Sequence, residues 1–520
     1  MNELLFTGFQ LYDGTGKPPF AADVAVREDR IAEVAPAGTI KRTGAAVVEG
    51  KGLALTPGFV DVHTHSDGKV VQVPTADSKI SQGVTTGISG NCGFSDYLDA
   101  VKDNDLGEHI LEVRGNFDAY ATLVEKTHPA VNMVHMCGHN TLRAFVMGYE
   151  NRHAAKEELR RMKELLAEAL EHGAGGFSGG PYYLPGKFAP TGELKELASL
   201  LKGTGKPYAT HMRSEGDGLF EGIEEAIEIA RAGDGNLEIS HLKASPRRNW
   251  SKIDHAFELI ENAQRSGLKV LADRYPYTYC STSLLTIMPP PFNVISSTEL
   301  CGKLRESAAE RAALLEAFRL HPYPTWDRVI LVNSLEPSHR QYYGKTMVEI
   351  AGSMGCTPDE AAVNLLASGR CPSAAFGSMC EENLHKILAK PWVMAGSDGN
   401  IRRFDDTSTH PRAFGTHPRF FRIAVKYAPP EQVIRRMTAL PAAKFNLAGR
   451  GIVAPGYFAD LALLDLEKYD SFADYAHPNI RAVGVHAVYV NGGLAYSPDP
   501  EVKTARPGRM LRIPQTRKYR

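Results

Sequence analysis

The spacing of polar and apolar positions changes character twice along this chain. From residue 1 to about 55 it alternates, most clearly in VREDRIAEV, and two apolar stretches, LLFTGFQLYDG and AADVAVREDRIAEVAP, carry a turn signal at Asp13-Gly14. A period of two puts every second side chain on one face, so these stretches read as short strands. The same style returns near the other end in FADLALLDLE and AVGVHAVYVNGGLAY, where Asn491-Gly492 has the chemistry of a tight hairpin. Each set alone has too few strands to bury a face. Residues 1–56 and 447–500 therefore read as one composite β-sandwich domain, with two separate sheets as the alternative.

Between the ends, short apolar segments alternate with helical patterns, as parallel βα units do. Eight segments read as strands: 58–65, 84–92, 131–139, 173–180, 206–213, 237–243, 269–277 and 392–399. The clearest helix covers 156–172, where Leu159, Met162, Leu166 and Leu170 share a face and Gly173 follows as a stop. This pattern predicts an α/β architecture, a (β/α)8 TIM-like barrel over 57–446. The interval before the eighth strand is far longer than the others, so an insertion over 284–390 is expected between strands seven and eight. No internal repeat or low-complexity run interrupts this order.

Composition adds limits. A chain of 520 residues has room for three or four ordinary domains, or for one barrel with attachments. At 43% hydrophobic and 23% charged residues it has the balance of a globular protein, which argues against disordered or disulfide-scaffold classes. Lys and Arg number 59 against 60 Asp and Glu, so no overall field recruits nucleic acid or an anionic membrane. Seven scattered cysteines without a CxxC pair imply reduced thiols and a cytoplasmic location. The start lacks the basic and apolar regions of a signal peptide, and no apolar run approaches the roughly 18 residues of a membrane helix. The tail 501–520 is basic, with seven Lys or Arg from Lys503 onward and no acid, and reads as solvated or strapping.

Candidate chemistry sits where the strands end, which is where a barrel places its catalytic groups. The first strand ends in His63 and His65, the second in Cys92, the fifth in His211, the sixth in His241 and the eighth in Asp398. Alternation sends His63 and His65 to the same face, with Val62 and Thr64 facing the helices. Each residue alone has an ordinary reading as a buried core side chain, but independent core residues have no reason to gather at one rim. Imidazole nitrogen and thiolate sulfur are donors that zinc prefers, with a position left for water. Asp398 is then the candidate general base that takes the water's proton and passes it to a leaving nitrogen.

The runs TPGFVDVHTHSD, THMRSE, ISHLK and AGSDG resemble the amidohydrolase superfamily. GVTTGISGNCGFS, GAGGFSGGPYYLPGKFA, DRYPYTYCST, YYGKTMVEIAG and THPRAFGTHPR narrow the resemblance to the D-aminoacylase, or N-acyl-D-amino-acid deacylase, family over nearly the whole chain. That resemblance implies a barrel with a β domain from both termini and an insertion before strand eight. It implies one tightly held zinc on Cys92, His211 and His241, a second, weaker position completed by His63 and His65, and Asp398 as catalytic acid and base. It further implies that Lys243, Tyr275 and Arg412 grip the α-carboxylate of a small substrate. Planar guanidinium geometry suits Arg412 to that role. Hydantoinases and dihydroorotases bridge two metals with a carboxylated lysine at the end of strand four. GAGGFSGG has no lysine, and Cys92 takes the bridging role. Linear N-acyl-D-amino acids are thus the expected substrates, with D-residue-terminated dipeptides, cyclic amides and a non-catalytic scaffold as alternatives. Departures from the family pattern at Gly179, Pro181, Pro246, Tyr279 and Cys280 bear on side-chain preference.

Overall fold

A computed structural model describes residues 3–41, 44–99, 106–406 and 408–514. β1 (Glu3–Leu11), β2 (Phe20–Arg27) and β3 (Arg30–Pro36) form an antiparallel meander, and β4 (Ala46–Glu49) and β5 (Ala54–Pro57) return parallel to β1. The register of β1 shifts between Phe6 and Phe9, which is where its neighbour changes from β4 to β5.

The barrel opens immediately afterwards with β6 (Phe59–Asp61). It continues through β7 (Val84–Ser89), β8 (Asn132–His135), β9 (Cys137–Gly138), β10 (Phe177–Gly179), β11 (Tyr208–Thr210), β12 (Asn236–Ile239) and β13 (Lys269–Arg274). All their pairings are parallel. β8 and β9 are halves of one barrel strand that breaks at Met136, whose N–H donates to Ser89 O at 2.9 Å.

After β13 the chain leaves the barrel. β14 (Cys280–Ser283), β15 (Val329–Asn333) and β16 (Ser373–Phe376) form a separate antiparallel sheet, and helices pack on it around Leu300, Leu314, Phe318, Val329 and Leu366. This unit starts at Cys280, ahead of residue 284. The helix Glu381–Ala389 buries Leu384, Ile387 and Leu388 in the barrel's own cluster, so the last part of the expected 284–390 insertion packs with the barrel. β17 (Val393–Ala395) pairs directly with β13, Ala272 opposite Val393. The Val62 N–H to Ala395 O bond (3.4 Å) and a parallel bridge between Thr64 and Gly399 close the ring.

β18 (Leu461–Leu464), β19 (Val485–Val490) and β20 (Gly493–Tyr496) then join the first sheet, with β18 antiparallel to β5. The hairpin falls on Asn491 and Gly492 at φ 47° and 78°, the left-handed pair that a two-residue turn requires. The two chain ends thus share one eight-stranded sheet among the described residues. Phe6 on β1 and Tyr489 on β19 meet with ring centroids 5.0 Å apart, although the strands are three places apart in the sheet, a separation of about 14 Å if it were flat. The sheet therefore folds over on itself and encloses its core of Phe6, Phe9, Val24, Leu55 and Leu461.

Val60, Ile88, Val134, Ala209 and Met394 come from strands on all sides of the barrel yet share one cluster, so they form its interior floor. Val62 packs there too and does not face the helices. The cause is local: β6 ends at Asp61, whose carboxylate faces the N–H of His63 at 3.4 Å, and regular alternation stops. The basic tail straps across the start of β8, through Met133 N–H to Arg509 O (2.9 Å), Leu511 N–H to Met133 O (2.7 Å) and an Arg512–Asp118 ion pair (2.6 Å). Its last cations, Arg517, Lys518 and Arg520, lie outside the described residues. Among the described residues no helix is long and apolar enough to cross a membrane.

Candidate metal centre and active site

The strand ends converge as the sequence implied. Cys92 leaves β7 in a turn flanked by Gly90 and Gly93, both at positive φ. A Cβ on Gly90 would fall 2.2 Å from Met136 O, and one on Gly180 would fall 2.0 Å from Cys92 O, so this turn is packed too closely for any side chain. Cys92, His241 and Asp398 themselves adopt left-handed backbones, with φ of 54°, 37° and 50°. Such residues persist where their surroundings over-determine them, and they concentrate at active sites.

Cys92 Sγ lies 3.3 Å from His63 Nε2, 3.5 Å from His241 Nε2 and 3.9 Å from His211 Nδ1. Asp398 Oδ1 lies 3.0 Å from His65 Nε2 and 3.5 Å from His63 Nε2. Two donor groups result, Cys92 with His211 and His241, and Cys92 with His63, His65 and Asp398, and the thiol belongs to both. A tetrahedral zinc with ligands at 2.0–2.3 Å holds their donor atoms roughly 3.4–3.7 Å apart, close to the separations around Cys92. The first group is all nitrogen and sulfur and buried; the second contains an oxygen and the half-buried His65. The donors fit zinc, and the first group fits it better.

Two residues that the sequence reading did not single out orient these rings. Asp273 Oδ2 sits 2.9 Å from His63 Nδ1, which turns Nε2 toward Cys92. Glu215 Oε1 sits 2.9 Å from His241 Nδ1 and accepts a hydrogen bond from Lys243, so His241 also presents Nε2. Carboxylates that hold a ligating imidazole by its far nitrogen are characteristic of metal sites. Each stood in a quoted motif, Glu215 four residues after His211 in THMRSE and Asp273 at the head of DRYPYTYCST. An acid at a barrel strand end was the available signal.

Charge follows the geometry. Burial opposes ionisation of Cys92, but neighbouring His63 and His241 outweigh it and hold the thiol well below its usual range. Burial likewise opposes the Asp398 carboxylate, and Arg412 and His241 outweigh it. Burial pushes His211 down, toward the neutral imidazole that a metal requires.

A chamber of about 730 Å³ opens from this cluster, walled by Tyr182, Tyr183, Trp250, Tyr323 and Phe376. Lys243 and Tyr275 line it; the Tyr275 hydroxyl is buried and has no hydrogen-bond partner among the described residues. Arg412 stands behind Asp398, in a recess of about 190 Å³ that also includes His65. Its Nη1 donates to Asp398 Oδ2 at 2.6 Å and its Nη2 to Ser281 O at 3.3 Å. Of the departures from the family pattern, Pro246 and Cys280 line the chamber, whereas Gly179, Pro181 and Tyr279 do not.

A family model described as the amidohydrolase family matches residues 46–267 and 308–496, most of the chain. The chain belongs to the amidohydrolase family. Within it, the chain is similar to a D-aminoacylase of Alcaligenes xylosoxydans xylosoxydans, 35% identical over 502 residues that cover 94% of this chain and 93% of the relative. Among solved structures it is similar to an N-acyl-D-glutamate deacylase from Bordetella bronchiseptica complexed with zinc and a phosphonate mimic of the tetrahedral intermediate. That match has TM-score 0.83, 30% identity, and coverage of 98% of this chain and 99% of the other. A D-aminoacylase with a binuclear metal centre, described by one-metal activation and second-metal attenuation, matches with TM-score 0.80, 32% identity and the same coverage.

Proposed function

We propose that this amidohydrolase hydrolyses the linear amide of N-acyl-D-amino acids, releasing a carboxylate and a free D-amino acid. Cys92, His211 and His241 would hold the zinc, with His63, His65 and Asp398 around a second, weaker position. The observation that carries this reading is the Cys92 thiol shared by both donor groups, where a lysine would stand in a cyclic-amide hydrolase; β10 and its flanks offer none. Zinc bound there lowers the pKa of a water to about 7 and polarises an amide carbonyl.

The chain's own residues carry the rest. Asp398 is ionised and faces the donor cluster, so it can take the proton of the attacking water and pass it to the leaving nitrogen. Lys243 and the Tyr275 hydroxyl, which has no partner among the described residues, would receive the substrate's α-carboxylate; their position on the chamber wall supports this reading. The chamber's acids are both engaged, Glu215 with His241 and Lys243 and Asp398 with the donor cluster and Arg412, while Arg247 and Arg328 line its walls without a carboxylate partner among the described residues. This polarity suits a small anionic substrate. Seven free thiols support a cytoplasmic location.

The test is turnover by the zinc-loaded protein of N-acetyl-D- and N-acetyl-L-amino acids, with hydantoin and dihydroorotate alongside. Turnover of the D series alone is expected; an L preference, or faster cyclic-amide turnover, would sink the reading. Tyr275→Phe should raise KM about 10-fold or more, as loss of a hydrogen bond to a charged group does, with kcat nearly unchanged. Arg412→Ala should raise KM as well. Because Arg412 holds Asp398 ionised, its loss should also move the acid limb of the kcat profile to higher pH. A pH series of kcat and KM on both variants checks this, and an unchanged KM would leave Arg412 serving Asp398 alone.

A further inference from the structure

The left-handed backbone of Asp398 needs support, and a buried lysine that lines neither cavity provides it. Lys79 lies in the one-turn helix Asp77–Ile80 and is 2% exposed. Its ammonium donates to Asp61 Oδ2 at 2.8 Å, Ser397 Oγ at 2.7 Å and Gly399 O at 3.0 Å. A lysine has three N–H donors, and all three are used. Two of the acceptors, Ser397 and Gly399, bracket Asp398 in sequence.

The network is complete on the other side too. Ser397 Oγ accepts from Lys79 and from Gly399 N–H (3.1 Å), and it donates to His63 O (3.2 Å), which exhausts a hydroxyl. Asp61 Oδ1 accepts Ser397 N–H at 2.8 Å, and Asp398 N–H itself donates to His63 O at 2.7 Å. Strand ends β6 and β17 are thus locked together around one residue. Neither Lys79 nor Ser397 lines the chamber or the recess. A buried ion pair is poor value as a stability device, because desolvation offsets much of its attraction. A fully satisfied buried network does fix one geometry.

We infer that Lys79 is a positioning residue for amide hydrolysis: through Ser397 and Gly399 it fixes the left-handed turn that aims the Asp398 carboxylate. This inference rests on the reading of Asp398 as proton carrier. The experiment uses the full-length, zinc-loaded protein and the variants Lys79→Met and Ser397→Ala. Four quantities are read: kcat and KM on the best N-acetyl-D-amino acid, zinc content, and inhibition by a phosphonate analogue of that substrate.

Lys79→Met should lose about 100-fold in kcat, as small misplacements of catalytic groups do, and bind the phosphonate more weakly. KM and zinc content should stay near wild type, because Cys92, His211 and His241 lie on other strands. Ser397→Ala should show the same pattern, about 10-fold in kcat. Wild-type kcat in a folded variant would overturn the inference. So would loss of zinc in step with kcat, which would make Lys79 a support of the metal cluster. Should Lys79→Met fail to fold, Ser397→Ala decides on the same four readouts. Absence of turnover by the wild-type protein on every N-acyl-D-amino acid would instead overturn the functional reading, and this inference with it.

Discussion

Asp398→Asn is expected to lower kcat by about 10³-fold while leaving zinc content and KM near wild type, the middle of the range for loss of a general acid–base group. The substitution is close to isosteric, so the left-handed turn and its contacts to His63 and Lys79 remain available. The tight donor group, Cys92 with His211 and His241, does not include Asp398. On the proposed reading, what the variant loses is the ability to accept a proton from water and return it to nitrogen. One competing effect needs separating. Arg412, 6% exposed, pairs with Asp398, and neutralising the acid leaves that guanidinium buried beside an amide. Breaking a buried pair in this way costs about 3–5 kcal/mol of stability. Thermal unfolding measured beside kcat distinguishes lower stability from lost chemistry, since a folded but inactive variant with full zinc points to the proton. A kcat within 10-fold of wild type would remove Asp398 from the chemistry.

How much of this was legible in the sequence follows from what each residue does. His63, His65, Cys92, His211, His241 and Asp398 could be found because polar side chains of metal-binding type at the ends of apolar strands have no packing reason to be there. Strand limits were less legible for the same cause. Residues 58–65 and 237–243 read as strands, yet the ladders stop at Asp61 and Ile239, because the residues beyond leave the sheet to face the site. Val62 went to the wrong face because alternation holds only while the ladder does. The insertion starts earlier than expected because β14, CSTS, is half-buried and carries no apolar period. Asp273 and Glu215 act through the far nitrogens of histidines, a role that depends on spatial neighbours 210 and 26 residues away in the chain. The placement of Arg412 against Asp398 likewise depends on how the loop after β17 folds back.

Cys92→Ala should lose both the zinc and the activity, in contrast to Asp398→Asn. The thiol is the one donor common to both groups, so its removal leaves two imidazoles on one side and two with a carboxylate on the other. Sulfur is also the charged member of the tight set. His63 and His241 hold the thiol well below its usual range, which favours the thiolate whose charge would offset the ion's own. Zinc content after gel filtration is expected to fall below about a tenth of an equivalent, with kcat down by at least about 10³-fold, because structural or catalytic zinc sites depend on their full ligand set. Relaxation of the turn offers a rival explanation, since a φ of 54° costs any residue with a Cβ about 1–2 kcal/mol and alanine lacks the thiol contacts that help hold cysteine there. Cys92→Gly separates the two. Glycine adopts that conformation freely, so its turn keeps the wild-type shape while the sulfur is absent. If zinc and turnover return in the glycine variant, strain in the turn explains the alanine result and the thiol is not a ligand. If both variants are equally metal-free, the loss belongs to the sulfur, and the shared position between the two donor groups is where this enzyme holds its metal.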